Sequence, residues 1–300
     1  MTFAIIQLFL LQIILPAFLL FFLWKGTFHS KLQWLIEVLA VSMYMIWTVL
    51  TGRWDWLGYY LRFLWVVLPI LFFYLSWKKT QSLPYFTPLT KEQKWSFAIH
   101  LFILLIFGSY NVMAFSSYTT EDTAIELSFP LQDGKYYVGH GGNHVQMNYH
   151  NSYEPQQYAL DITKLNDLGL RTAGLYPKEL ESYAIYEDTL YSPCDGKIIE
   201  ARDGLPDQTP PHSDPDHPKG NYAALRCEGT DATVYIAHMQ NGSVAMEKES
   251  HVTQGEPIGR VGNSGNTSEP HLHIHAELDG TGVPIHFDGK FLVRNSIVSR

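Results

Sequence analysis

Three histidines alternate with apolar residues in one short stretch, His271-Leu272-His273-Ile274-His275. This two-residue period is typical of a strand, so the three imidazoles face one side while Leu272 and Ile274 face the other. Imidazoles crowded on one face repel one another when protonated, and a divalent metal is the commonest partner that holds them neutral. The stretch therefore predicts a metal site at the end of a turn-rich loop, residues 262–270. The alternative is a polar edge strand whose histidines meet water.

Other positions offer ligands of the same kind. Asp161 stands in an otherwise apolar segment, where a carboxylate is costly unless a cation or hydrogen bonds meet it. A strand predicted to carry His144 and His150 precedes it, and His238 ends another apolar strand. A catalytic zinc takes about three ligands from His and carboxylate, plus a water. Zinc lowers the pKa of that water to roughly 7, and a neutral histidine nearby can accept the proton.

The elements that must position these residues lie in the second of two very different parts of the chain. Residues 1–114 are mostly apolar or aromatic and carry 8 Lys/Arg against 3 Asp/Glu, a net charge of +5. Residues 115–300 carry 13 Lys/Arg against 26 Asp/Glu, a net charge of −13. Because phosphate binding needs a basic face, this acidic part is not expected to bind nucleic acid.

The first part contains four apolar runs that are each long enough to cross a lipid bilayer, which takes roughly 20 residues. The runs are residues 2–24, 32–50, 56–77 and 95–115. Lysines are concentrated in the first and third loops between them, whereas the second loop pairs Arg53 with Asp55. Since positively charged loops stay in the cytoplasm, both chain ends and the acidic domain are predicted to lie outside it. This gives a multi-pass protein of the cell membrane with an extracytoplasmic, periplasmic or extracellular, C-terminal domain.

The acidic part is predicted to be all β. Short strands alternate with turns, at residues 125–130, 145–150, 157–162, 189–194, 197–202, 222–226, 233–238, 257–261 and 271–275. Residues 168–183 are less clear and suit a short helix, and the proline-rich residues 203–220 suit an exposed loop. The fold class is therefore an all-α transmembrane region of four helices, residues 1–115, followed by an antiparallel all-β domain, residues 116–300.

The chain has two cysteines, Cys194 and Cys227. They would form one disulfide if the second part lies in an oxidising compartment, and otherwise they are two small buried apolar residues. Neither belongs to a closely spaced pair of the kind that holds zinc. The sequence leaves both alternatives open.

Several ordered motifs in the second part together resemble the lysostaphin-type zinc metallopeptidases. They are Ser192-Pro193-Cys194-Asp195-Gly196-Lys197-Ile198, Gly220-Asn221-Tyr222, Tyr235-Ile236-Ala237-His238-Met239, and Gly255-Glu256-Pro257-Ile258-Gly259-Arg260-Val261-Gly262-Asn263-Ser264-Gly265 followed by His271-Leu272-His273. The resemblance runs from about residue 139 to residue 277 and leaves the membrane part outside. It implies the β-sheet fold called the duplicated hybrid motif, a Zn2+ cofactor and a peptidoglycan peptide as substrate.

Carried over position by position, the resemblance makes Asp161 and His273 zinc ligands, together with a histidine ahead of Asp161. The family usually has three residues between this pair, whereas His150 is separated from Asp161 by ten, so an enlarged hairpin turn, Asn151–Gln156, is expected to bring the two opposite one another. His150 is the choice and His144 the reserve. His238 and His271 match the two catalytic histidines that handle the proton of the water and stabilise the tetrahedral intermediate.

Two further residues lie close to these motifs without a settled role. His275 stands where the family more often has an acidic or amide residue, and it either lines the cleft, supports a ligand or lies on the surface. Asn143 either hydrogen-bonds near the metal or is a turn residue.

The function expected from this resemblance is a membrane-anchored zinc endopeptidase that hydrolyses peptide bonds in peptidoglycan stem peptides or cross-bridges. The first alternative is a catalytically inactive module of the same fold that binds peptidoglycan or regulates other wall hydrolases. A transporter or sensor with an accessory domain is a further alternative, but the four runs have few polar residues that could line a cavity.

Overall fold

The computed structural model describes residues 2–300. Within it the chain forms two compact units. The first contains the chain up to Arg53 together with Tyr60–Phe115, and the second contains Trp54–Tyr59 together with Ser116–Arg300. A short segment between two helices of the first unit, Trp54–Tyr59, therefore belongs with the second.

The first unit is helical, with helices α1 (Thr2–Phe9), α2 (Leu15–Lys25), α3 (Lys31–Thr51), α4 (Leu64–Lys78) and α5 (Lys91–Ser116). A π-helical turn joins α1 to α2, and a 3-10 turn leads into α4. Among residues 2–300, four helical stretches are long and apolar enough to cross a membrane, which confirms the predicted number: Phe3–Lys25, Lys31–Thr51, Tyr59–Lys78 and Lys91–Ser116. The third begins at Tyr59 rather than at the predicted Trp56. Gly58, with φ of 104°, forms a turn just before it.

The second unit is built from strands β1 (Ile125–Leu127), β2 (Lys135–His140), β3 (Leu160–Leu165), β4 (Thr189–Tyr191), β5 (Gly196–Arg202), β6 (Asn221–Cys227), β7 (Thr233–Met239), β8 (His251–Val252), β9 (Pro257–Arg260), β10 (Leu272–Leu278), β11 (Thr281–Val283), β12 (Ile285–Phe287), β13 (Lys290–Phe291) and β14 (Ile297–Ser299). The main sheet has the order β14-β2-β3-β10-β7-β6-β5-β8, with β11 beside β10. All of its pairs are antiparallel, which confirms the predicted fold class.

Two smaller sheets accompany the main one: β1, β12 and β13 form the first, and β4 and β9 the second. The core collects the apolar face of the central strands, including Leu160, Ile162, Ile236, Leu272 and Ile274, each at most 2% exposed. Since side chains alternate along a strand, the opposite face of β3 and β10 is left to polar residues.

Cys194 and Cys227 form a disulfide, so the first of the two alternatives for the cysteines is confirmed. Cys227 is paired with Gly196 across β5 and β6, which places Cys194 just before the strand and beside its partner. Their Cα atoms lie 5.7 Å apart, an ordinary separation for a bridged pair.

The predicted strand at residues 145–150 is wrong. The segment turns and then forms a 3-10 helix, Tyr149–Ser152. Asn148, which is fully buried, explains the difference: its side chain accepts a bond from the His150 amide and donates to the carbonyls of Gly142 and Ala159. These local bonds satisfy the backbone without a neighbouring strand.

Other elements of the domain also differ from those predicted. Strands β2, β8, β11, β12, β13 and β14 had no predicted counterpart, and β2 pairs with β3 and β14 in the main sheet. The short helix expected within residues 168–183 is reduced to one 3-10 turn, Leu180–Ser182.

The proline-rich residues 203–220 are irregular and largely exposed, as predicted. They nevertheless bond to the turn-rich loop ahead of β10. The amide of Gln208 donates to the Asn263 carbonyl at 2.9 Å, and the amide of Asp214 donates to the Gly265 carbonyl at 2.8 Å. The two irregular segments therefore support each other beside the histidines.

We expect reduction of the disulfide to destabilise the second unit. A link between residues 33 positions apart removes chain entropy from the unfolded state worth about 3–4 kcal/mol. Thermal unfolding of the full chain in detergent, followed by near-ultraviolet circular dichroism, should therefore show a lower midpoint in reductant. A Cys194→Ser/Cys227→Ser variant should unfold at that lower midpoint with or without reductant. A wild-type midpoint that ignores complete reduction would contradict the expectation.

Candidate metal centre

The centre of the main sheet brings the histidines of β10 next to Asp161. Strand β10 lies between β3 and β7, and its register places His273 directly opposite Asp161. His238 lies near the end of β7, on the other side of β10. Leu272 and Ile274 point into the core and are fully buried. The strand therefore divides its side chains between an apolar core face and a polar face that carries the site.

His150 reaches Asp161 from the 3-10 helix rather than from a strand. Its Nε2 lies 3.1 Å from Oδ1 and 3.0 Å from Oδ2 of Asp161. The ring of Tyr149 packs 4.0 Å from the His150 ring, centroid to centroid. Because Asn148 fixes the start of the helix, the His150 ring is held between Tyr149 and the carboxylate.

His150, Asp161 and His273 form one of two groups within residues 2–300 whose donor atoms could hold a metal ion. Nδ1 of His273 lies 2.9 Å from Oδ1 of Asp161, and all donor atoms of the group lie within 4.8 Å of one another. Ligand atoms at about 2.0–2.1 Å from a tetrahedral zinc are about 3.3 Å apart. The three side chains are buried and supply two nitrogens and one oxygen, so both the spacing and the donor chemistry fit zinc.

His238, His271 and His273 form the second such group. His238 and His271 share one arrangement: Nδ1 of His238 lies 2.9 Å from the Ser264 carbonyl, and Nδ1 of His271 lies 2.9 Å from the Glu269 carbonyl. A carbonyl oxygen only accepts, so Nδ1 of each ring carries the proton and donates it. In the neutral rings, Nε2 then keeps a lone pair.

Burial and the clustered imidazoles set the charges of the site. Burial alone would raise the pKa of Asp161, but His150 and His271 outweigh it and hold that pKa well below its usual range. Burial lowers the pKa of His273. Burial and the charge of the neighbouring His271 hold the pKa of His238 well below its usual range. The pKa of His271 is raised, because Asp161 outweighs the opposing effect of burial. A carboxylate among mostly neutral imidazoles is the charge pattern that a cation binds.

His275 lies behind His273 on the same face of β10. Its Nδ1 is 3.0 Å from Nε2 of His273, the ring nitrogen that points away from Asp161. The His275 ring stacks on Tyr235 at 4.9 Å, and the ammonium of Lys219 lies 3.9 Å from the centre of the Tyr235 ring. Burial, followed by the charges of His273 and Lys219, holds the pKa of His275 well below its usual range. A neutral His275 can fix the orientation of the His273 ring.

His144 and Asn143 lie outside both groups of donor atoms. Nδ1 of His144 accepts a bond from the backbone amide of Gln146 at 3.2 Å, and the side-chain amide of Asn143 donates to the Thr119 carbonyl at 3.2 Å. The structure thus brings together six of the eight residues that the sequence singled out: His150, Asp161, His238, His271, His273 and His275.

Two residues beside His271 were not predicted from the sequence. Arg171 and Glu269 form a buried ion pair at 2.8 Å, and Glu269 is the residue whose carbonyl accepts the bond from His271. Glu269 lies two positions ahead of His271, but nothing in the pattern around Arg171 indicates that the two charges meet. Only the fold, which joins positions 98 residues apart, could reveal the pair.

Comparison with known proteins gives the following matches. Residues 182–285 match the model of Peptidase family M23, and no curated protein matches the sequence. A putative peptidase M23 from Pseudomonas aeruginosa is 16% identical, with 55% of this chain and 50% of that chain covered and a TM-score of 0.32. A zinc containing peptidase from Vibrio cholerae is 17% identical, with 42% and 48% covered and a TM-score of 0.26. The catalytic domain of the antimicrobial peptidase lysostaphin from Staphylococcus simulans is 18% identical, with 45% and 90% covered and a TM-score of 0.24.

This chain spans about half the length of the first two of these proteins. The range that matches the family model contains His238, His271 and His273 but begins after the part that carries His150 and Asp161. The departure from the family pattern therefore lies in the first motif, where the sequence also has its unusual spacing. Residues 182–285 of this chain belong to a domain of Peptidase family M23, the lysostaphin-like peptidases.

Proposed function

We propose that this protein is a membrane-anchored zinc metallo-endopeptidase that hydrolyses peptide bonds in peptidoglycan stem peptides or cross-bridges. The peptidase domain comprises residues 116–300. The observation that carries the proposal is the convergence of His150, Asp161 and His273 beside two further histidines, His238 and His271, that are each held through Nδ1 by a backbone carbonyl. Membership of the lysostaphin-like peptidases supports both the reaction and the substrate class.

In this proposal His150, Asp161 and His273 hold the ion, and His275 orients His273 through its second nitrogen. Zinc, when bound, supplies Lewis-acid polarisation of the scissile carbonyl and makes a water acidic at neutral pH. Asp161 contributes the negative charge of the ligand set, while the two histidines bind as neutral donors. His144 remains the reserve ligand in place of His150.

His238 and His271 handle protons in this proposal. Each ring donates from Nδ1 to a backbone carbonyl, which fixes its orientation and makes Nε2 the nitrogen that would meet the reacting groups. Nε2 of His271 lies 3.4 Å from Oδ1 of Asp161, the carboxylate that a bound ion would engage. One Nε2 accepts the proton of the attacking water and passes it to the leaving amine. The other, once protonated, donates to the oxyanion of the tetrahedral intermediate. Burial keeps the His238 ring neutral at pH 7, as a proton acceptor requires.

The domain is proposed to lie outside the cytoplasm, with the four helices in the lipid bilayer. Lysines in the first and third loops support this orientation. The disulfide supports it independently, because such bonds persist in oxidising compartments. Peptidoglycan is found on the same side.

The full chain, loaded with zinc in detergent, should release peptide fragments from purified peptidoglycan. Chelator should stop the release, and zinc should restore it. His271→Ala should keep the zinc, but its rate of hydrolysis should fall about 10²–10⁴-fold, because the variant lacks a residue that transfers a proton or donates to the oxyanion. Mass spectrometry of the fragments is the measurement. Identical fragments from wild type and His271→Ala would reject the hydrolase, and a zinc-loaded wild type that binds peptidoglycan without cleaving it would favour the inactive module.

The ligand set is tested by zinc content. His150→Ala should lose the ion because a ligand is absent, whereas the matched variant His144→Ala should bind zinc as the wild type does. The metal bound to each purified full-length variant is measured after dialysis against buffered zinc. If only His144→Ala loses zinc, the ligand is His144 and not His150.

The orientation is tested with a membrane-impermeant maleimide on spheroplasts. Both native cysteines are in the disulfide, so an introduced cysteine is the reactive one. His212→Cys, in the exposed loop of the peptidase domain, should be labelled on intact spheroplasts. Gln81→Cys, in the exposed loop after α4, should be labelled only after lysis. The reverse pattern would place the peptidase domain in the cytoplasm.

A further inference from the structure

A buried ion pair holds the segment of residues 267–271, which ends at His271. Arg171 and Glu269 are 1% and 7% exposed, and Nε of Arg171 donates to Oε2 of Glu269 at 2.8 Å. Glu269 in turn presents its carbonyl oxygen to Nδ1 of His271 and to the hydroxyl of Thr267. The position of this carbonyl therefore depends on where Arg171 holds the Glu269 side chain.

Arg171 is itself held by the segment Trp54–Tyr59, which joins α3 to the turn before α4. The Arg171 amide donates to the Asp55 carbonyl at 3.1 Å, and the Tyr59 amide donates to the Gly169 carbonyl at 2.8 Å. Trp54 is fully buried, and its amide donates to the hydroxyl of Tyr137 in β2. These bonds make the segment part of the second unit, called the peptidase unit below because it contains the peptidase domain.

Trp56 covers the guanidinium of Arg171. The Cζ atom of Arg171 lies 3.6 Å from the centre of the Trp56 ring, and Tyr176 stacks on Trp56 at 5.3 Å with an interplanar angle of 26°. The hydroxyl of Tyr176 donates to the Ser268 carbonyl at 2.8 Å, next to Glu269. The face of an aromatic ring attracts a guanidinium and fixes its plane, so the ring determines the direction in which Arg171 presents its donors.

We propose that Trp56 is a positioning residue for His271, acting through Arg171 and Glu269, and that the segment Trp54–Tyr59 is therefore a required part of the active site. The catalytic role of His271 in this statement rests on the proposed function. It follows that a chain starting at Ser116 lacks a piece of the peptidase unit, so activity belongs to the full-length protein.

Two replacements of Trp56 separate the effect of its ring from that of its bulk. Trp56→Phe keeps an aromatic face for Arg171, whereas Trp56→Leu keeps an apolar side chain without one. Trp95→Ala is the matched control, since Trp95 lies in α5 and is 66% exposed. All variants are full-length proteins in detergent micelles.

The first readout needs neither metal nor activity. In the metal-free chain, at a pH high enough for the His271 ring to be neutral, ¹⁵N resonances of that ring, assigned by their loss in His271→Ala, report which nitrogen carries the proton. Wild type, Trp56→Phe and Trp95→Ala should show a protonated Nδ1 bonded to the Glu269 carbonyl. Trp56→Leu should show a mixture of tautomers, because the carbonyl is no longer held in place.

The second readout is hydrolysis of peptidoglycan by the zinc-loaded proteins. Trp56→Leu should lose at least about tenfold in kcat with KM little changed, since the substrate still binds but His271 is misplaced. Trp56→Phe should recover most of the rate. A wild type that cleaves nothing would reject the proposed function, yet the resonances of His271 would still test the positioning role.

Arg171→Lys keeps the proposal testable if Trp56→Leu fails to fold. The lysine retains a positive charge beside Glu269 but has no planar group to stack on Trp56. It should give the same mixture of His271 tautomers. A wild-type His271 spectrum in Arg171→Lys, or in a folded Trp56→Leu, would overturn the proposal.

Discussion

The carboxylate of Asp161 is the charge on which the site depends. It is buried in the sheet and lies 2.9–3.4 Å from nitrogens of His150, His271 and His273. Burial opposes its ionisation, so it stays charged only because imidazoles surround it. In return, the carboxylate allows several imidazoles to gather in one place. Without the imidazoles, the Asp161 carboxylate would be a buried charge with no opposite charge or donor beside it. A bound cation would stabilise the same carboxylate.

Strand register is what brings these groups together. Leu160 and Ile162 flank Asp161, as Leu272 and Ile274 flank His273, and all four apolar side chains are buried in the core. A shift of one residue in the pairing of β3 with β10 would turn the ligands into the core and the leucines and isoleucines toward the site. The hydrophobic core therefore fixes the positions of the candidate ligands Asp161 and His273.

The sequence predicted the parts of the site that follow from this alternation and missed those that depend on local bonding. The pattern from His271 to His275 and the isolated Asp161 were enough to place two strands and their polar faces. The 3-10 helix of His150 was not predictable from alternation, because it depends on the buried side chain of Asn148. Strand β2 went unnoticed since its residues Lys135-Tyr136-Tyr137-Val138-Gly139-His140 do not alternate, and three of them are fully buried.

The interhelical segment could not be foreseen at all, because hydropathy assigns Trp56 to a membrane run. Yet its bonds to the peptidase unit restrict the topology of the chain independently of loop charge. The chain leaves that unit at Tyr59 and rejoins it at Ser116. If the candidate spans cross a bilayer, Tyr59 and Ser116 must lie on the same side of it, which requires an even number of spans between them. The two candidate spans in that interval, Tyr59–Lys78 and Lys91–Ser116, meet this requirement. The packing of the segment that contains Trp56 is thus an argument for two spans that does not depend on the loop lysines.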